Sequence, residues 1–473
     1  YGRGMNLYSL VPSDDFVVGK PKGQIEDIKN FITSGNGSYT RDIWPMHFIV
    51  VKRANDIIRN VPDLEINADV KNFALGEAYF MRGLAYFQLS LLYGDNNSGG
   101  IPIVDETIIE DFFIERPASV STSYEFAAES FTKAAALLPY FDAANSDRLG
   151  RPHKNAALGY LARVHLHNAE FNPASWDSVI TACDEVINSN KNALESNFED
   201  AFKIASNWGS EYLWSVPSNT IGGSMFAGAS LENRGWGKYN GWGYFAPTLE
   251  LYESYEAGDA RRDATLLAFG DEFEFFGSTR KYASANSLTG FQLKKYLEPF
   301  GYANAVELNP NGDHPSTNLN LPLLRYSHIL LMKAEALIVK NGAGSGDTEI
   351  NLVRARANLA AKTGATLEDL KAERRAEFAG ELLGRYEDLC RWGDVAKIKG
   401  ALHGKRHLGV VFDTAEGINK GFPVLGTDFT EVFPTTEVWQ QRDNFILETH
   451  RVWPIPANAI DTSRETLSQN LGW

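Results

Sequence analysis

The chain has 473 residues and a net charge of −15, from 45 basic against 60 acidic side chains. That balance excludes nucleic acid and an anionic membrane surface as partners, because both demand a basic face. No run of 18 apolar residues exists, so no segment reads as a membrane-spanning helix.

Up to about Gly37 the pattern is irregular, and only Gln24 to Ile32 looks helical. The chain opens on Tyr1 with neither a start methionine nor a charged-then-apolar leader. A mature or trimmed fragment is therefore expected, its signal peptide or lipid anchor removed. From Trp44 the pattern changes. Phe48, Val51, Ala54, Asn55 and Ile58 keep helical spacing, and a second helix is expected from about Val70 to Tyr93, with Phe80, Leu84, Phe87 and Leu91 on one stripe. Gly94 closes it as a C-terminal cap.

Ser121 or Ser123 can cap a following helix that runs to Leu138. Its Ala127, Phe131, Ala134 and Pro139 match the second half of a tetratricopeptide repeat, where small residues let helices approach and proline ends the unit. Asn155 to Ala169 and Asp177 to Ile187 continue the alternation, so an irregular helical-repeat array is expected. Between about Asn192 and Leu321 the periodicity fails, leaving one clear helix at Thr248 to Tyr255 and a short strand at Glu211 to Val216. Helices return at Leu323 to Lys340, Thr348 to Ala361, Leu367 to Phe378 and Gly380 to Lys397, and the tail to Trp473 is mostly loop. Cys183 and Cys390 stand far apart inside helical patterns and read as buried free thiols rather than a disulfide or metal site.

Within the irregular stretch, Asn233 to Phe245 sets Trp236, Tyr239, Trp242, Tyr244 and Phe245 among four glycines. Glycine breaks helix and strand alike, so this is a loop. Its rings either tuck beneath it as a satellite core or present flat faces to a ligand that wants apolar contact, as sugar rings do. Asn233, Arg234, Lys238 and Asn240 carry the donors and acceptors that sugar hydroxyls need.

Catalytic patterns are weak. Glu373, Arg374, Arg375, Glu377, Glu381, Arg385, Glu387, Asp388 and Arg391 resemble a paired-carboxylate site, but every carboxylate except Glu373 has an arginine three or four residues away, and Glu373 is followed directly by two, which favours a structural ion-pair network. There is no Gly-x-Ser-x-Gly elbow, His-Glu-x-x-His or Cys-x-x-Cys, and His165 and His167 point to different helix faces. Asp95 to Gly100 and Asn309 to Asp313 lack the bidentate glutamate of a calcium loop and read as turns. No catalytic residue, metal or cofactor is expected.

Four groups of segments resemble the SusD/RagB family, cell-surface nutrient-binding lipoproteins of Gram-negative bacteria. They are Gly76 to Arg82 with Leu91 to Gly94 and Ile101 to Ile103; Gly150 to Lys154 with Ala156 to Leu158 and Leu161 to Arg163; Leu324 to Tyr326 with Leu330 to Ala336 and Asn351 to Arg356; and Glu373 to Phe378 with Arg385 to Leu389, Arg391 to Gly393, Pro454 to Pro456 and Gln469 to Trp473. Ala379-Gly-Glu381 departs from the family's usual Phe-Glu-Gly. The resemblance implies a mainly α, single SusD-like domain over 1–473. Four tetratricopeptide-type hairpins would form a scaffold over about 40–190 and 322–400, with an irregular ligand-binding region at about 192–321 and a loop-rich segment at about 400–473. It also implies an outward-facing outer-membrane lipoprotein that captures oligosaccharide or polysaccharide, without catalysis, for a partner TonB-dependent (SusC-like) transporter. The ligand-binding positions it implies are Trp236, Trp242, Tyr239, Tyr244, Asn240 and Arg234 in the central loop, and Tyr39 and Trp44 before the first repeat. Trp208, Trp214, Trp392 and Trp453 are expected in the core, and Trp176 and Trp439 are unassigned. A RagB-like relative that captures peptides, or a tetratricopeptide scaffold that binds proteins, are the alternatives.

Overall fold

The computed structural model describes residues 3–19, 23–37, 39–110, 113–218, 230, 236, 241–283, 287–298, 317–408, 410–415, 422–424 and 433–473. Helices α1 (Arg3–Leu10) and α2 (Gly23–Lys29) precede α3 (Ile43–Asn60), α4 (Ala68–Tyr93), α5 (Val120–Leu137), α6 (Lys154–Asn168) and α7 (Ser175–Asn188). Short helices α8 (Leu249–Glu253) and α9 (Ala260–Thr265) follow, then α10 (Tyr326–Asn341), α11 (Asp347–Arg356), α12 (Leu367–Phe378) and α13 (Arg385–Trp392). From α3 to α7 each helix packs on the next, and α10 packs on α7. The array thus resumes after the irregular stretch, as a mainly α fold requires.

Residue size sets how closely the helices approach. A Cβ added at Gly83 would stand 3.1 Å from the Phe131 ring, and one at Gly76 would stand 2.8 Å from Leu138. The α4–α5 seam therefore depends on glycine in one helix facing bulk in the other. Gly94 does end α4, but its φ of −105° is not left-handed. Its role is steric, since an added Cβ would lie 2.6 Å from Val120 Cγ2. The cap of α5 is Ser119, whose side chain accepts from Ser121 N–H. Ser123 Oγ instead accepts from Ile101 N–H at 2.7 Å, tying the preceding loop to the helix.

Four regions depart from the expected elements. Leu321–Arg325 is a strand, not the start of a helix, and it pairs antiparallel with Tyr212–Val216. All five of its residues are buried, so its apolar run carries no period that separates strand from helix. The opening contains α1, and the tail contains an antiparallel pair, Leu402–Leu408 with Phe433–Gln440. The expected helix from Gly380 to Lys397 is divided by Gly393, which ends α13 with φ 69°. Cys183 and Cys390 are buried free thiols, and burial pushes Cys390 up to about 12.

Candidate functional site

The central loop is held at two points, in two separate cores. Trp236 is 1% exposed. Its ring centroid lies 5.2 Å from Phe273 and 6.4 Å from Phe422, each pair edge to face. Phe273 and Phe275 reach it because Glu272–Phe275 alternates exposed and buried residues along a strand. The other anchor is Tyr244 and Phe245, both buried in the main core. There Ala246–Pro247 pairs with Phe16–Val17, and Thr248 donates its N–H to Asp15 O at 2.9 Å. Between the anchors Trp242 is half-buried, its ring 5.6 Å from Tyr244.

This placement corrects two expected ligand contacts. The Trp236 and Tyr244 ring faces are covered by protein and offer no platform to a sugar. The satellite-core reading holds for Trp236, where four neighbouring aromatic rings supply more apolar contact than water would leave, whereas Tyr244 joins the main core. Arg234, Tyr239 and Asn240, with Asn233 and Lys238, lie outside the described residues.

Trp44 is a third correction. It is buried at the start of α3, edge to face with Tyr93 at 5.2 Å. Tyr39 is half-buried against the main core. Its loop is fixed by the hydrogen bond between Tyr8 and buried Thr40, and by the turn in which Gly37 N–H donates to Ser34 O. Among the tryptophans expected inside, Trp453 is buried, while Trp208, Trp214 and Trp392 are half-buried. Trp176 is half-buried against the core, and the Trp439 side chain is outside the described residues.

Two cavities of ligand size stand out. One, of about 540 Å³, is an apolar groove along α3 that includes Trp44 in its lining. The other, of about 630 Å³, is a polar cleft between residues 199–203 and 264–298. Its floor is Phe202, Leu267, Phe273 and Leu297, and its walls carry Lys203, Glu274, Thr279 and Lys294. Leu267, Phe273 and Leu297 also belong to the Trp236 cluster, so the cleft adjoins the core that holds Trp236. The Glu-Phe-Glu-Phe alternation at 272–275 was the available signal for this wall, but nothing local shows that residues 199–203 would face it.

The charged helix proves to be an internal seam. Arg325 is fully buried and donates to Glu377 at 3.0 Å, to Glu381 at 2.6 Å, and to Glu211. Arg261 binds Asp259 at 2.8 Å and Glu373 at 2.6 Å, and Arg356 binds Glu211 at 2.7 Å. Despite burial, the surrounding guanidinium groups hold Glu377 well below the carboxylate range. These carboxylates face arginine, the arrangement expected of a structural network. Asp95 accepts from the N–H groups of Asn97 and Ser98, which is turn chemistry. The Asn309 to Asp313 segment is outside the described residues. Among the described residues no three His, Cys, Asp or Glu side chains converge to hold a metal ion, and no helix is long and apolar enough to cross a membrane.

The family model described as "SusD family" matches residues 210–473, more than half of the sequence. The chain belongs to the SusD family. A second family model, described as "Starch-binding associating with outer membrane", matches residues 13–166 and supports association with that membrane. SusD-like protein P2 of Formosa agariphila is 25% identical over 429 residues, covering 84% of this chain and 80% of that protein. A SusD-like protein of Bacteroides ovatus is 26% identical, covering 74% of this chain and 65% of that protein. Among solved structures, a SusD-like protein from Bacteroides fragilis superposes with a TM-score of 0.79 at 21% identity, covering 100% of this chain and 94% of that one. Surface glycan-binding protein A from Bacteroides thetaiotaomicron, in complex with laminarihexaose, gives a TM-score of 0.70 at 22% identity, covering 98% and 93%. These likenesses extend the SusD fold over both the helical array and the irregular stretch.

Proposed function

We propose that this SusD-family protein is a cell-surface, outward-facing lipoprotein that captures oligosaccharide or polysaccharide. It then passes the glycan to a partner TonB-dependent, SusC-like transporter, and does no chemistry on it. The observation that carries this reading is family membership over residues 210–473, joined by likeness along the whole chain to a protein that holds laminarihexaose. Trp242 and Tyr39 are the proposed ring contacts, since each is partly open. Arg234, Tyr239 and Asn240 remain proposed partners for hydroxyl groups.

The magnitudes suit a docking site. A sugar face covering roughly 50–100 Å² of ring gains about 1–2.5 kcal/mol. Two such stacks, with hydroxyl bonds, must offset the entropy of association, which leaves a Kd of about mM to μM. Tighter capture then comes from several contacts along one polymer and from the transporter closing over it.

Affinity electrophoresis through gels containing a panel of polysaccharides tests the reading. Retardation by at least one glycan, without release of smaller sugars, is expected. The peptide-capturing alternative draws on the polar cleft, whose charged walls suit backbone and terminal groups. Free migration through every gel, with saturable binding of a peptide mixture, would favour it and end the glycan reading. Recovery of a TonB-dependent transporter with the protein after mild detergent extraction tests delivery.

A further inference from the structure

Gly241 to Phe245 forms neither helix nor strand, so no regular element decides where the Trp242 ring points. The local turn is at Gly243, whose left-handed φ of 61° redirects the chain between half-buried Trp242 and buried Tyr244. Gly243 is itself buried, with Gly19 close against its backbone. A Cβ built on Gly19 would stand 2.6 Å from Gly243 O and 3.3 Å from its carbonyl carbon. Ala246 Cβ would lie 3.5 Å away, an ordinary contact. The φ of Gly19 is not left-handed, so glycine is not needed there for backbone freedom. What the position requires is the absence of a side chain.

An atom added at Gly19 must displace one side of this contact, and the two sides differ in how firmly they are held. Residues 11–16 are clamped. Arg442 donates to the carbonyl oxygens of Val11 at 2.7 Å, Pro12 at 2.8 Å, Ser13 at 2.6 Å and Phe16 at 3.2 Å. Asp14 accepts two bonds from Arg385, each of 2.8 Å, and Asp15 accepts one from Arg375 at 2.7 Å. Beyond the contact, Tyr244 and Phe245 are packed in the main core and Ala246–Pro247 is paired with Phe16–Val17. Trp242 lies between two glycines, where the chain turns at least cost, so displacement falls on Trp242 and Gly243. We propose that Gly19 is a positioning residue for glycan capture: its bare backbone, pressed against Gly243, sets the orientation in which Trp242 meets sugar. This rests on Trp242 being a ring contact, and adds what aims the ring.

The test reads the ring directly. The full chain is labelled with 5-fluorotryptophan, and the Trp242 signal in the fluorine NMR spectrum is assigned from its loss in Trp242→Phe. Gly19→Ala should shift that signal and leave those of Trp236 and Trp453 in place. Gly23→Ala makes the same change at an exposed site with nothing within 4 Å, and should move none of them. In affinity gels containing the panel polysaccharide that most retards the parent, Gly19→Ala should weaken retention about threefold to tenfold. It should add no further loss in a Trp242→Ala background, which a general loosening of the fold would. If Gly19→Ala does not fold, Thr248→Val carries the test. Thr248 Oγ1 donates to Asp14 O at 3.0 Å and draws the two segments together, so its loss should also move the Trp242 signal, although it weakens the α8 cap. A Trp242 signal unmoved in the folded variants would overturn the proposal even where glycan is bound. A moved signal with retention equal to the parent's would overturn it from the other side, by removing Trp242 from the sugar contacts. The spectrum needs no sugar, so a failure of the contact and a failure of the carbohydrate reading are told apart.

Discussion

The arginine-carboxylate seam beneath α12 and the aromatic loop before α8 both look like active chemistry in the sequence, and both bury most of what draws the eye. They differ in what burial costs. A buried charge must have a partner at hand, so the arginines spaced along Glu373 to Arg391 already announce an internal network. A buried indole needs only apolar neighbours, and those of Trp236 come from residues 267, 273, 275, 282, 297 and 422. Local sequence therefore shows that the charges will be paired but not by which partners, since Glu373 and Glu377 meet Arg261, Arg325 and Arg356 from other segments, and for the rings it does not show even burial.

The seam gives the largest expected effect. Arg325→Met would leave Glu211, Glu377 and Glu381 without their shared guanidinium, and removing one partner of a buried pair costs about 3–5 kcal/mol. Urea denaturation should show that loss, or no folded protein at all. A variant within about 1 kcal/mol of the parent would mean that the seam is not an internal brace. Trp236→Ala should follow, at about 3 kcal/mol, since it empties the centre of a small aromatic cluster. Had Trp236 been a ligand platform, the same change would leave the melt unmoved.

How much was legible follows the same division. The α12 limits, Leu367–Phe378, are those expected from Leu367 to Phe378, because helix period and a Thr366 cap agree there. The stripes on α3 and α4 are core as read, with Val51, Ala54, Ile58, Phe80 and Phe87 buried. Phe433–Gln440 was not visible as a strand, since its partner lies at 402–408 and pairing at that distance leaves no local period. For the site, the loop and its ring content were legible, but not which rings face outward. That choice depends on Phe16–Val17 and on the 272–281 hairpin, both far along the chain from residues 236–245.

A smaller effect separates seam-like burial from its unpartnered counterpart. Glu387 sits at the start of α13 without the tight arginine pair of its neighbour Asp388, and burial pushes it up to about 8. The folded protein keeps this proton where the unfolded chain has lost it, so stability falls as pH rises from about 4.5 toward 8. His153 and His450, each lowered to about 4 by burial, act in the opposite sense below about 6.5. Glu387 is therefore read between pH 6.5 and 8, where the parent should lose about 1–2 kcal/mol at roughly 1.4 kcal/mol per unit. Glu387→Gln should flatten that slope; a parent already flat over the interval would show that the carboxyl is ionised in the fold.

The smallest expected change in stability, and the most informative about function, is Trp242→Ala. Its ring is half-buried, so truncation should move the melting temperature little, whereas Trp236→Ala six residues away should move it strongly. On a glycan that the parent binds, Trp242→Ala should weaken retention by about tenfold, the loss of one stack worth about 1.4 kcal/mol. Tyr39→Ala should have a lesser effect of the same sign, because a phenol offers less ring area. If Trp242→Ala binds like the parent while remaining folded, the loop merely bridges its two anchors, and the ring contacts for sugar must be sought at the half-buried Trp208 and Trp214 beside α6. If it unfolds like Trp236→Ala, the half-buried face is structural, and the contrast between the two tryptophans collapses.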